Sequence, residues 1–183
     1  LGMGNCRVIH TIHNFKHQGH AGVEALYATG LNRPEYYYSL DRMGDDHNPF
    51  SINFTKAAIV YANFVTTVSR KHAWEAMYTD QGYGMGHTLH RFGSKFGGVL
   101  NGLDYDMWNP EFDPHIPGHY SVKDLDDLPG KGENKVALQH RLMLEQCDRP
   151  IVAYVGRLDT QKGVHLIRHA LFTAIHNHAQ FIL

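Results

Sequence analysis

Two cations five residues apart, Arg157 and Lys162, stand in the stretch PIVAYVGRLDTQKGVHLIRHAL, residues 150–171. An apolar run stops at Gly156 just before them, and a helical pattern starts near residue 163. A helix start offers free N–H groups and the positive end of the peptide dipole, so it favours anions. Arginine adds a planar fork that matches phosphate oxygens, and lysine adds a point charge. Phosphate binding is the chemistry this spacing suggests. A nucleoside-triphosphate loop needs glycine before its lysine and serine or threonine after it. Gln161 and Gly163 hold those places here, so that motif fails. A solvated pair of loop charges partnered by Asp159 is the competing reading, and spacing alone leaves both open.

His13-Asn14 and Asn101 also stand where apolar runs end, in RVIHTIHNF and GGVLNGLD. Open α/β sheets bind ligands outside the carboxyl ends of their strands. Each such residue alone is a common turn former; with Arg157 there are three strand ends of this kind, and together they favour a shared crevice. The patch HTIHNFKHQGH, with His10, His13, His17 and His20, invites a zinc reading. A strand sends neighbouring side chains to opposite faces, so His10 and His13 diverge. No cysteine or acidic cluster adjoins them. Hydrogen-bonded or surface roles are expected for His10, His17 and His20, and no metal is expected. GYGMGH (82–87) is glycine-rich, but no strand leads directly into it, which leaves a dinucleotide fingerprint unsupported. The aromatic run EYYYSL could stack a sugar or a base, or lie partly buried in a loop.

These residues need strands and helices to position them. CRVIHTIH (6–13), FVTTVS (64–69), GGVLNGLD (97–104), PIVAYVG (150–156) and the terminal AQFIL read as strands. AGVEALYATG (21–30), SINFTKAAIVYAN (51–63), RKHAWEAMYT, GENKVALQHRLML (132–144) and GVHLIRHALFTAIHNH (163–178) read as helices. Ser51 and Ser69 are candidate N-caps. Alternating strands and helices predict an α/β protein with parallel sheets. The polar EQCDRP predicts a domain boundary near residues 145–150.

Composition excludes several classes. A net charge of −1 leaves no footprint for nucleic acid or an anionic membrane. No apolar run approaches the ~20 residues that span a bilayer. Two cysteines, Cys6 and Cys147, fit a reducing compartment. The chain starts without an initiator methionine and ends inside an apolar strand, so it is expected to be part of a longer protein.

TIHNFKHQG, AAIVYANFVTTVS, GGVLNGLDYDMWNP, GKGENKVALQHRL and GRLDTQKGVHLI occur in the order and spacing of bacterial glycogen synthases and plant starch synthases. The chain resembles that family over nearly its whole length, most of all its cyanobacterial members. The resemblance implies a glycosyltransferase B-type fold of two Rossmann-like domains. Residues 1–148 would be the later part of the first domain, and 149–183 the first βαβ unit of the second. It implies retaining transfer of glucose from ADP-glucose, or UDP-glucose, to the non-reducing end of an α-1,4-glucan, without a metal or other cofactor. It matches Arg157 and Lys162 to the groups that hold the donor diphosphate, with Gly156 beside them. It matches His13 to a histidine at the transferred glucose, and Asn14 and Asn101 to polar residues near that sugar. A Lys-x-Gly-Gly loop and an essential glutamate of the family are expected outside residues 1–183, so the chain alone is expected to be inactive. VSRKHAWE departs from the usual VSPTYAxE at Arg70, Lys71 and His72. Another retaining nucleotide-sugar transferase, or an inactive truncated copy, is the alternative.

Overall fold

The computed structural model of the chain describes residues 5–31, 33–124 and 128–183. Contacts divide the chain into two compact units, residues 1–102 and 103–183. The first unit contains β1 (Ile9–Ile12), β2 (His20–Gly22), α1 (Glu24–Ala28), α2 (Pro34–Tyr37), β3 (Ser51–Asn53), α3 (Phe54–Tyr61), β4 (Phe64–Thr67), α4 (Arg70–Tyr78), α5 (Gly86–Arg91) and β5 (Phe96–Gly98). The second contains α6 (Pro129–Arg141), β6 (Ile151–Ala153), α7 (Val164–His176) and β7 (Gln180–Ile182).

A parallel sheet of order β1-β4-β5 organises the first unit, with Ile9 opposite Phe64 and Val65 opposite Phe96. Its strands are β-branched and aromatic, as a pleated half-buried surface prefers. Ile12, Val65 and Phe96 join Phe15, Ile59, Ala73, Ala76, Met85 and Leu89 in one buried cluster. Gly98 ends β5 against the start of α4: a Cβ there would collide with the backbone of Ser69 and Arg70. The antiparallel pair β2-β3 and a smaller cluster of Leu26, Met43 and Ile52 lie in the same unit. In the second unit β6 and β7 pair in parallel, Val152 opposite Phe181, with α7 connecting them.

Ser69 caps α4, its hydroxyl accepting from the His72 N–H at 2.9 Å. Ser51 does not cap α3. Residues 51–53 form β3 instead, where Ser51 Oγ donates to the Ala21 carbonyl at 3.1 Å. Asn53 takes the cap, accepting from Lys56 N–H at 2.9 Å. The apolar spacing of Ile52 matched a helix, but Ile52 belongs to the β2-β3 pairing, opposite Ala21. β5 is also shorter than the apolar run predicts. Its ladder continues only through the Val99 N–H, which donates to the Thr67 carbonyl at 2.8 Å. Val99 and Leu100 are then exposed rather than buried.

Candidate functional site

His13 is the first residue past β1, at the carboxyl edge of the parallel sheet, and its side chain is exposed. Asn14 follows, with Oδ1 accepting from the Lys16 N–H at 2.9 Å in a tight turn. Asn101 leaves the same edge from β5, three residues past the strand end, and is exposed. With β4 between them, the ends of β1 and β5 are about 10 Å apart, twice the usual strand spacing. The strand-end argument therefore brings His13, Asn14 and Asn101 to one edge of one sheet.

Buried side chains fix the backbone on both sides of His13-Asn14. Thr67, fully buried at the end of β4, donates its hydroxyl to the Ile12 carbonyl at 2.8 Å. Gln18 donates to the Phe15 carbonyl at 2.9 Å and to the Tyr83 carbonyl at 2.8 Å. Its own carbonyl oxygen accepts from Asn53 Nδ2 at 2.7 Å. GYGMGH thus meets its neighbours with acceptors: Tyr83 O faces Gln18, and Gly84 O lies 3.1 Å from His47 Nε2. A phosphate cradle presents N–H groups instead.

Sequence reasoning missed this polar interior. Asn53 Nδ2 also reaches Asp45 at 3.0 Å, and His20 Nε2 lies 3.0 Å from the same carboxylate. Lys56 is buried and donates to Leu40 O, Gly44 O and Asp46 Oδ1 at 2.6, 2.7 and 2.6 Å. Thr88 donates to the other Asp46 oxygen at 2.7 Å. Burial pushes the carboxyls of Asp45 and Asp46 up, but their hydrogen bonds outweigh it. Donation by Asn53 and by the His47 and Asn48 N–H groups holds Asp45 low. Lys56 and Thr88 do the same for Asp46. The sequence signal was a lysine three residues after an asparagine, on a helix that apart from Thr55 is apolar or aromatic.

The second unit carries the cations. After β6 the chain runs through Gly156 and Arg157, both exposed, to a single 3₁₀ turn over Thr160–Lys162. Asp159 caps that turn by accepting from the Gln161 N–H at 3.0 Å. Gly163, at φ +71°, then redirects the chain into α7; this is left-handed backbone that favours glycine. Tyr154 Oη donates to the Arg157 carbonyl at 2.6 Å, which fixes the backbone under that side chain. Asp159 thus takes part in holding the turn that carries Lys162. Lys162 ends on the last turn before α7, at the electropositive end of that helix.

The histidine patch does not gather. His10 lies within β1, where burial lowers its pKa. His13 lies past the strand end, and His20 belongs to β2. Among the described residues no three His, Cys, Asp or Glu side chains are grouped to hold a metal ion. In EYYYSL the Tyr36 ring lies under the Arg42 guanidinium at 3.7 Å, and Tyr37 packs between Tyr36 and Tyr61. No helix among the described residues is long and apolar enough to cross a membrane.

Residues 2–91 match the family described as starch synthase catalytic domain. Over its whole length the chain is 59% identical to a probable glycogen synthase 2 of Nostoc sp., covering 36% of that protein. It is 41% identical to a probable starch synthase 4, chloroplastic/amyloplastic, of Arabidopsis thaliana, covering 17% of it. Among solved structures it is similar to the catalytic domain of starch synthase IV from Arabidopsis thaliana bound to ADP and acarbose. There the TM-score is 0.91 at 40% identity, over 100% of this chain and 37% of the other. The chain thus spans between 17% and 37% of the length of these relatives, and it shares their α/β architecture with parallel sheets.

Proposed function

The chain belongs to the glycogen and starch synthase catalytic-domain family, and from that premise we propose that the protein carrying it extends α-1,4-glucans. Glucose passes from ADP-glucose, or UDP-glucose, to the non-reducing end of the acceptor, with retention of the α configuration. The observation that carries this reading is the pair of exposed cations, Arg157 and Lys162, at the turn between β6 and α7. The Arabidopsis neighbour is described as bound to ADP, which is the leaving group of ADP-glucose.

In this reading Arg157 and Lys162, beside Gly156, hold the donor diphosphate. Charge builds on the leaving diphosphate as the glycosidic bond breaks, and fixed cations stabilise it without reorganising. The sugar takes on oxocarbenium character, as in other glycosyl chemistry. His13 meets the transferred glucose and places its reacting carbon, with Asn14 and Asn101 near the sugar. The acceptor hydroxyl attacks from the face the diphosphate leaves. Residues 1–148 are assigned to the first catalytic domain of such an enzyme and 149–183 to the first βαβ unit of the second. The protein would work in the bacterial cytoplasm or the plastid stroma, according to its source.

Turnover of the full-length protein with ADP-glucose and UDP-glucose, on a maltooligosaccharide acceptor, tests the proposal. Arg157→Ala and Lys162→Ala should each lower turnover by about 10² or more, the scale of a lost oxyanion-type contact. Near-parent activity in both variants would overturn the assignment.

A further inference from the structure

We propose that Gln18 and Thr67 are positioning residues for His13 and Asn14, an inference that rests on the glucan-synthase reading above. His13-Asn14 lies between two carbonyls, each held by a buried side-chain donor. Ile12 O on one side takes the Thr67 hydroxyl, and Phe15 O on the other takes Gln18 Nε2. Thr67 is fully buried and Gln18 is 5% exposed. Neither side chain lies on the exposed edge where a substrate would meet His13.

Gln18 is itself overdetermined. Its backbone carbonyl accepts from Thr55 N–H at 3.0 Å, and Gly19 O accepts from Phe54 N–H at 3.1 Å. Both donors are free N–H groups of the first turn of α3. Its side chain spends both amide hydrogens on carbonyls and its oxygen on Asn53. Phe15, whose own carbonyl Gln18 holds, is 1% exposed in the core, with its ring edge-on to Phe96 and His72. The exposed His13 side chain thus stands on a backbone span that cannot shift without breaking buried bonds. A rigid supporting shell of this kind decides whether a reacting group sits in register, and an error near 1 Å can cost about 10²-fold in rate.

The test uses the full-length protein with ADP-glucose and a maltooligosaccharide. Thr67→Val removes the hydroxyl at nearly constant shape, and Gln18→Met removes all three bonds at similar length. Each should lower kcat about tenfold or more, within the range a misplaced reacting group gives. KM for the nucleotide sugar should stay within about threefold, because diphosphate binding belongs to other residues. Thr67→Ser, which keeps the hydroxyl, should restore kcat. In a His13→Ala background Gln18→Met and Thr67→Val should cost little further, since residues acting as a unit are not additive. Full kcat in both single variants, with His13→Ala inactive, would overturn the inference and leave the reading beneath it standing. Losses that multiply with His13→Ala would overturn it too, as a merely structural effect. Full turnover in His13→Ala would overturn the underlying reading of the site, and the inference with it.

Discussion

Lys56 shows what a single residue does in this interior. Its ammonium is 3% exposed and donates to two carbonyls and to Asp46. All three of its donors are used. Methionine at this position would keep the stem but strand the buried Gly44 carbonyl, the part-buried Leu40 carbonyl and a carboxylate. Breaking a buried, hydrogen-bonded charge pair costs about 3–5 kcal/mol. Lys56→Met should lower the denaturation free energy of the first unit by that order, read by urea titration. Asp46 responds to pH with a definite sign. Its folded pKa lies below the unfolded value of 3.8. The stabilisation is therefore present above about pH 4 and lost as pH falls through the folded value. Asp46→Asn should destabilise the protein at neutral pH, and the difference from the parent should shrink as pH falls from about 4 towards 2, the acid side of ordinary carboxylate titration. A gap that stays constant with pH would refute the assignment.

At the scale of elements, caps decide boundaries. Ser69 holds the start of α4 through one hydroxyl, at the point where β4 ends and Gly98 of β5 packs against it. Ser69→Ala should cost about 1 kcal/mol in thermal or chemical unfolding, the usual value of a lost N-cap. That cap was legible because a serine stood between a β-branched run and a helical pattern. The sheet edge was legible for the same kind of reason: His13, Asn14 and Asn101 come after the apolar runs that form β1 and β5, and a parallel sheet aligns such ends, whereas Arg157 follows β6 of the other sheet. β2 and β3 were not legible. Each has three residues, and each needs the other, about 30 positions away, to form any ladder. The apolar spacing from Ile52 onward suits a helix as well as a strand, so pairing decided the matter. The support of His13 was hidden too. Thr67 and Ile12 are 55 residues apart, and nothing in either local sequence announces that a hydroxyl meets a carbonyl. Local pattern shows which residues reach an edge. It does not show what holds them there.

Across the whole molecule the two units differ in what they bury. The first owns the cluster built on Phe15, Ile59, Val65 and Leu89, all at most 1% exposed, and the smaller one around Leu26 and Ile52. In the second, Ala174 is the only buried hydrophobic residue among those described. Val155, Leu158, Leu166 and Phe172 are all more than half exposed. Burial of apolar area is the main favourable term in folding, at about 25 cal/mol per Å². Two paired strands with two helices bury little of it here, and two-stranded units are marginal on their own. Local opening free energies follow such differences. In the 183-residue chain the amides of β6, α7 and β7 should therefore exchange with solvent through local opening, well before those of β1, β4 and α4. Native-state hydrogen exchange measures this directly. Equal protection in the two sets would mean that the second unit draws its stability from something other than its own buried apolar surface. The same contrast bears on the proposed chemistry. The segment with Arg157 and Lys162 sits in the weakly buried unit, with its backbone held by Tyr154 and Asp159, while His13 sits on the well-packed one. In the 183-residue chain, substitutions near the cations should therefore alter exchange locally, and Arg157→Ala and Lys162→Ala should leave the protection of β1 and β4 unchanged.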